Sequence, residues 1–476
     1  MAGEANDCEI ELEASLISSL RTKMDAIRPR RSGVELSTIF PVPQNIRKAN
    51  PEAYEPKIVS FGPYHHGQPH LQQMEETKLL YLKKLLRRNP SVPLESYLQT
   101  LKRLESRARS SYSDKIAMDC NDFIQMMLLD ASFITELFLM HIDISLMKEA
   151  TEEEEYDDPI LNTSWILPLV EFDMLMLENQ IPFFILEEFF DMAASPIQTE
   201  SYTLIDVALE FFDDLFPSDK KRLPTESTPQ THHFLHLFHS CILPPQNESE
   251  IRRGRKMNIK FLSGLYRYLI SSLSSSRGED HEPIPPPPAT PESIPCATML
   301  REAGVKFRKK EDAGTFLDVR FAKGKLEIPP LRVYDHTESL FRNLIAFEQC
   351  FPAAGNHVTA YAVFADCLVD TGSDVALLHH AGAIVNGLGN DDETAELFNK
   401  LCKEVAIDYD DCYLSELFKD VKKHCDSRPN RWRAKLMHDY FSSPWAALSL
   451  VGALFLLFLT VAQTVLAFLA YLQPPN

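Results

Sequence analysis

Glycine is scarce: 16 of 476 residues, well below the roughly 7% of an average protein. A Gly-punctuated all-β sandwich is therefore disfavoured, and a hydrophobic share of 45% excludes a disordered polar chain. Basic residues are the minority, 48 Lys and Arg against 68 Asp and Glu, for a net charge of −20. That balance argues against a duplex-binding face, so no nucleic-acid partner is expected. The nine cysteines form no CxxC and no zinc-ligand spacing, which predicts reduced, mostly buried thiols. Phosphate loops are missing too. Gly324-Lys325 has no Gly five residues before it, and Gly387-Leu388-Gly389 lacks a third glycine. No period of about 20 to 50 residues points to a solenoid. The first residues, MAGEANDCEIELEASL, are acidic before they are apolar, unlike a secretory signal.

The longest absence is also the strongest signal. From Phe441 to Asn476 there is no Asp, Glu, Lys or Arg, and residues 444–472 read PWAALSLVGALFLLFLTVAQTVLAFLAYL. This exceeds the ~20 residues needed to cross a hydrocarbon core and predicts a single-pass, C-terminal transmembrane helix. Trp445 and Tyr471 stand near its ends, where amphipathic rings favour the headgroup level. Lys422, Lys423, Arg428, Arg431, Arg433 and Lys435 precede it, diluted by Asp420, Asp426 and Asp439, while Gln473 to Asn476 carries no basic residue. The positive-inside rule then places the large domain in the cytosol, in the layout of a tail-anchored protein of the plasma membrane or an endomembrane.

Upstream, the fold class expected is mainly α: a large helical domain with a minor β-hairpin or small sheet. Length alone is compatible with about three domains or one large one. A leader, 1–36, holds an amphipathic stretch from Glu9 to Ile27; the main domain spans 37–437. Prolines in IFPVPQNIRKANPEAYEP and KIVSFGPYHHG forbid a continuing helix. Helical periodicity predicts helices over 71–88, 119–141, 166–190, 204–215, 232–241, 257–273, 338–349 and 394–403. The stretch 149–158, EATEEEEYDD, packs seven acids into ten residues and reads as a solvated loop. A proline-rich linker covers 277–295, with seven prolines from Pro283 to Pro295. After it, VKFRKK, TFLDVRF and KLEIPPLRVYD alternate around Lys323-Gly324, which predicts a small sheet with a hairpin near 315–333.

Four groups of residues invite chemistry. Asp370-Thr371-Gly372-Ser373 matches the aspartic-protease fingerprint. That chemistry needs a second carboxylate to share a proton, and the adjoining DVALLHHAGAIVNGL reads as a helix, so the motif is expected to be a turn with Ser373 or Asp374 as its cap. HHFLHLFHSC places His232 and His236 one turn apart, with His233, His239 and Cys241 beside them. No HExxH glutamate or fixed third ligand accompanies them, so a helix with its histidines on a polar or partly buried side is expected rather than a metal site. His65, His66 and His70 in FGPYHHGQPH are expected to pack locally around a tight turn. In VEFDMLMLENQIPFFILEE, Asp173 and Glu178 sit among apolar residues and must be hydrogen-bonded or neutral. An internal clamp, with Asn179 and Gln180 tying helix to loop before Pro182, is expected over a general acid–base pair. No catalytic residue, cofactor or metal is assigned.

In this order, IFPVPQNIRKANPEAYEPKIVSFGPYHHG, MEETKLLYLKKLL, LENQIPFFIL, HHFLHLFH, GVKF, LEIPPLRVYDHTESLFRNLIAFEQC and the terminal span resemble a plant family catalogued as domain of unknown function 247, also called uncharacterised protein family 0481. Where the family more often has a Ser-Ala-Thr-Glu-Leu type of run, this chain has CATMLREAGVKF; Met299 replaces the acid and removes a local salt bridge or cap. The resemblance implies a mostly helical, C-terminally membrane-anchored plant protein without an established activity. Some grass members are linked to pollen self-incompatibility as recognition determinants, a role the resemblance extends to this chain as one option. The leading expectation is a membrane-tethered, non-catalytic recognition or signalling protein with protein partners. The alternatives are a hydrolase with an unrecognised active site, which a cleft uniting His65, His66, Asp370 and Ser373 would favour, and a membrane-surface scaffold using the proline linker. The sequons at Asn162 and Asn247 are reporters of exposure to the secretory lumen.

Overall fold

The computed structural model describes residues 16–22, 24, 37–150, 158–194, 202–218, 230–244, 294–407, 412–440 and 444–472. Part of the leader, the helix expected over 257–273, nearly all of the proline linker and the sequon at Asn247 lie outside them. Among the described residues the protein is mainly helical, with two small sheets and a C-terminal apolar helix.

In the N-terminal half, α1 (Gln73–Arg88), α2 (Leu94–Ser110) and α3 (Cys120–Ala150) pack together. The first of these buries Lys78, Tyr81, Leu82 and Leu85, one stripe at helical spacing. Glu75 and Glu76 in its first turn and Arg87 and Arg88 in its last complement the helix dipole. Arg88 then clamps α3 by donating twice to Glu136, at 2.9 Å each, and once to Asp143 at 2.6 Å. Helix α3 is apolar almost all round, as a helix surrounded by others must be: Phe123, Met126, Phe133, Ile134, Leu137 and Phe138 are all buried.

The single helix expected over 166–190 is broken into α4 (Ile166–Asp173) and α5 (Phe183–Ala193). Polar side chains in the gap serve the backbone that the break exposes. Asn179 Nδ2 donates to the Asp173 carbonyl at 2.8 Å, and Gln180 Nε2 donates to the carbonyls of Met174 and Met176 at 2.6 and 2.8 Å. Next come α6 (Leu204–Phe211), opened by a Thr203–Asp206 capping box, and α7 (Phe234–Ile242). The acidic stretch also needs a correction at its end. Asp158 is buried, accepting from the Tyr81 hydroxyl at 2.8 Å and from Lys84 at 2.6 Å.

The C-terminal half begins with α8 (Ala297–Glu302) and a three-stranded sheet, β1 (Lys306–Lys309), β2 (Arg320–Ala322) and β3 (Lys325–Ile328), in the order β1-β3-β2. The expected hairpin joins β2 to β3, its turn made by Lys323 and Gly324 at φ +51° and +73°. TFLD is not a strand: Thr315, Phe316 and Leu317 form a buried turn. Pro329-Pro330 ends the sheet, so β4 (Leu331–Val333) instead pairs in parallel with β5 (Ile384–Asn386). Around these pack α9 (Thr337–Cys350), α10 (His357–Leu368), α11 (Gly372–His380) and α12 (Asp391–Leu401), followed by α13 (Ser415–Asp426) and α14 (Arg428–Tyr440). One continuous apolar cluster runs through both halves, from Ile39 to Val421. Last comes α15 (Pro444–Leu472). Its segment Val451–Phe468 is entirely unburied, whereas Cys120–Ser145 of α3, the other stretch among the described residues apolar and long enough to span, is 89% buried.

Candidate functional site

Among the described residues, many polar side chains converge in the clamp around LENQ. Three backbone N–H groups, of Lys57, Ile58 and Val59, donate to the Asp173 carboxyl at 2.8 to 2.9 Å. Burial nonetheless pushes that carboxyl up to about 6, against the pull of those donors. Glu178 accepts from Val42 N–H at 2.6 Å, pairs with Arg47, and lies 3.2 Å from His65 Nε2. Burial raises its carboxyl, but His65, Arg47 and Val42 outweigh it and hold Glu178 below the usual carboxylate value. Phe61 N–H donates to Asn179 Oδ1 at 2.6 Å, and Asn179 Nδ2 donates back to the Val59 carbonyl at 3.0 Å. The proline-rich segment, whose helical structure is limited to the short turns Gln44–Arg47 and Pro51–Tyr54, thus has several of its other backbone groups hydrogen-bonded by Asp173 and the LENQ loop.

Two buried groups complete the clamp. Gly62 N–H donates to Asp130 at 2.8 Å, and Asp130 is ion-paired at 2.7 Å with Lys78, itself fully buried and donating to the Ser60 carbonyl at 2.7 Å. Gly62 adopts φ +71°, and a Cβ there would meet the Gln180 carbonyl oxygen at 2.5 Å and the Tyr112 hydroxyl at 2.8 Å. Arg47, Lys78, Asp130 and Tyr112 escape sequence reasoning because their partners lie far away in the chain. The available signal is a lysine in the apolar stripe of α1.

The histidines divide into local tasks. The Gln68 amide nitrogen faces His65 Nδ1 at 3.0 Å, on the ring edge away from Glu178. His66 is exposed, and His70 meets the Pro56 carbonyl at 3.1 Å. In the second group the rings are more buried than expected: His233, His236 and His239 are all in the core. His233 is the N-cap of α7, accepting the His236 N–H at 3.2 Å while its Nε2 meets the Thr38 carbonyl at 3.0 Å. His236 stacks on His232 with centroids 4.9 Å apart, and burial drives it down to about 3, so it is neutral at physiological pH. His239 lies 2.8 Å from Glu348, whose carboxylate also takes the Val358 and Thr359 N–H groups that start α10. Among the described residues no three His, Cys, Asp or Glu side chains converge as metal ligands.

The protease-like motif is a helix start. Asp370 and Ser373 are exposed and Asp374 is buried. The Asp374 carboxylate reaches back to Thr371 N–H and hydroxyl, both at 3.1 Å, which makes Thr371 and Asp374 the capping box of α11. It also accepts the Thr298 N–H at 2.7 Å. Asp374 therefore takes up a first-turn N–H of α8, while Met299 in that same turn is 57% exposed. Beside the motif lies an open depression lined by Asp370, Asp392, Glu396, Asn399, Lys400 and Lys403 among others; neither His65 nor His66 lines it. The pairing of those histidines with Asp370 and Ser373 imagined for a hydrolase is not assembled there. Of the eight described cysteines only Cys241 and Cys412 are buried; Cys120 is exposed and five are half-buried.

Residues 39–459 match the family described as plant protein of unknown function, domain of unknown function 247. A UPF0481 protein of Arabidopsis thaliana is 32% identical over 93% of this chain and 88% of its own length. A second, putative UPF0481 protein of the same plant is 25% identical over 90% of this chain and 89% of its own. No solved structure matches.

Proposed function

The chain belongs to the plant family of unknown function known as domain of unknown function 247, and we propose that it is a membrane-tethered, non-catalytic recognition or signalling protein. In this reading α15 spans the bilayer once and the helical domain lies on the cytosolic side. The observation that carries it is the contrast between the two long apolar helices. One is wrapped by the domain; the other offers Leu454, Phe455, Leu457 and Phe458 to solvent, each at least 57% exposed. Leaving that many large apolar side chains in water costs on the order of 1.5–3 kcal/mol each, a penalty that a hydrocarbon core removes. The cationic flank from Lys422 to Lys435 supports the cytosolic orientation. A recognition role is favoured over catalysis because the buried titratable groups of the clamp and of α7 are each engaged in holding backbone or one another. The test is cell fractionation of the full chain against a variant lacking 444–476. The full chain should pellet with membranes and resist alkaline extraction. The truncated protein should be soluble, folded and monodisperse, and a truncated, folded protein that still needs detergent would overturn the tether.

A further inference from the structure

We infer that α14 is a docking face for an anionic lipid surface, laid on the cytosolic leaflet beside the point where α15 enters it; the inference rests on the tether proposed above. At 3.6 residues per turn, Arg428, Arg431, Trp432, Lys435 and Leu436 fall within one arc of about 140°. All five are exposed, Trp432 at 77% and Leu436 at 46%. The domain touches the other side of the helix, where Pro429, Arg433 and Met437 nonetheless remain exposed. Asn430 and Ala434 are half-buried, Asn430 Nδ2 donates to the His424 carbonyl at 2.9 Å, Arg433 lies against Gly304, and α8 packs on this helix. Asp439 is the one acid in α14 and falls at the membrane-proximal end of the arc.

Three arguments select a lipid surface as the occupant. An arc mixing guanidinium and ammonium heads with an indole and a leucine matches a headgroup layer, where cations meet phosphate and carboxylate while the apolar bodies reach the acyl boundary. The chain carries −20 overall, so an anionic bilayer repels most of it and attracts this face. Position is the third argument. Only three residues separate Tyr440 from Pro444; at ~3.6 Å per residue the end of α14 lies within about 15 Å of the start of the span whatever path they take. That is comparable to the ~8–10 Å reach of charge attraction in physiological salt.

The test uses the full chain with Trp165 and Trp445 replaced by Phe, so that Trp432 is the remaining indole. The protein is reconstituted into vesicles of phosphatidylcholine alone or mixed with phosphatidylserine. With phosphatidylserine the Trp432 emission should shift to the blue and be quenched by brominated acyl chains, and high salt should reverse both. Neutral vesicles should leave it water-exposed. R428E, R431E and K435E should each cut the surface-bound population by about fivefold or more, at about 1 kcal/mol per lost cation. Emission that ignores phosphatidylserine, or that survives the triple charge reversal, would overturn the docking face. Flotation with neutral vesicles reports the anchor by itself. If flotation fails, sedimentation with anionic vesicles that the triple reversal abolishes still supports the face, and its absence overturns it.

Discussion

At the scale of single residues the clamp makes the sharpest demands. Lys78 and Asp130 are both removed from water and meet at 2.7 Å. Lys78→Met leaves the Asp130 charge uncompensated and should cost about 3–5 kcal/mol in denaturant unfolding. Adding Asp130→Leu should recover part of that loss, though not all, because Gly62 N–H then loses its acceptor. Glu171 gives a pH signature of opposite character. Burial, with the Asp214 carboxylate adding to it, pushes its carboxyl up to about 8. A folded-state value raised above the ordinary one favours the folded protein fully below about pH 4.5, and the benefit is lost as pH rises through 8. Glu171→Gln, which mimics the neutral acid, should match the parent at pH 4 and exceed it by about 1–3 kcal/mol at pH 9, read from urea midpoints at both values. Asp173, Glu178, Asn179 and Gln180 are legible in the sequence because four polar residues interrupt an apolar run. Their acceptors and donors in residues 42–61 are not, since no local spacing encodes a contact across more than a hundred residues.

At the scale of elements, periodicity locates most helices, and its failures are instructive. The stretch 166–190 keeps a helical apolar pattern through a gap that Asn179, Gln180 and Pro182 open, because both flanking helices face the same core. Helix α2 buries Tyr97, Leu101, Leu104 and Ala108 yet is absent from the helices that periodicity predicts, its stripe diluted by charges on the other faces. Helix α14, RPNRWRAKLMHDY, carries little apolar periodicity, as expected of a helix with one wide exposed face. Strand β5 is three residues long and finds its partner 53 residues upstream, Ile384 opposite Leu331, beyond the reach of any alternation. Both long apolar helices pass a length-and-hydropathy test for a span, but α3 carries Asp122, Asp130, Glu136 and Asp143 and is wrapped by the domain whereas α15 is uncharged and bare, a difference that a matched pair of substitutions tests. Leu137→Arg in α3 buries an unpaired charge in the core and should destabilise the domain by more than about 4 kcal/mol, enough to abolish its thermal transition. Leu456→Arg in α15 should leave that transition in place and instead weaken membrane retention, at an insertion cost of about 2.5–3.5 kcal/mol.

At the scale of the whole molecule, one apolar cluster from Ile39 to Val421 ties the proline-rich segment, the helices and both sheets together. The charged helix α14 then separates that body from α15. This order puts the exposed sequon at Asn162 on the far side of the proposed span from the C-terminus, so one gel can read both ends. The full chain, extended after Asn476 by a short tag bearing a glycosylation acceptor, is translated in the presence of microsomes and treated with endoglycosidase. A membrane-tethered protein with a cytosolic domain should show a single shift that maps to the tag, is unaffected by the Asn162→Gln, Asn247→Gln double substitution and disappears when Val451–Phe468 is removed. No shift at all, or a shift that Asn162→Gln with Asn247→Gln abolishes, would contradict the tether or its orientation.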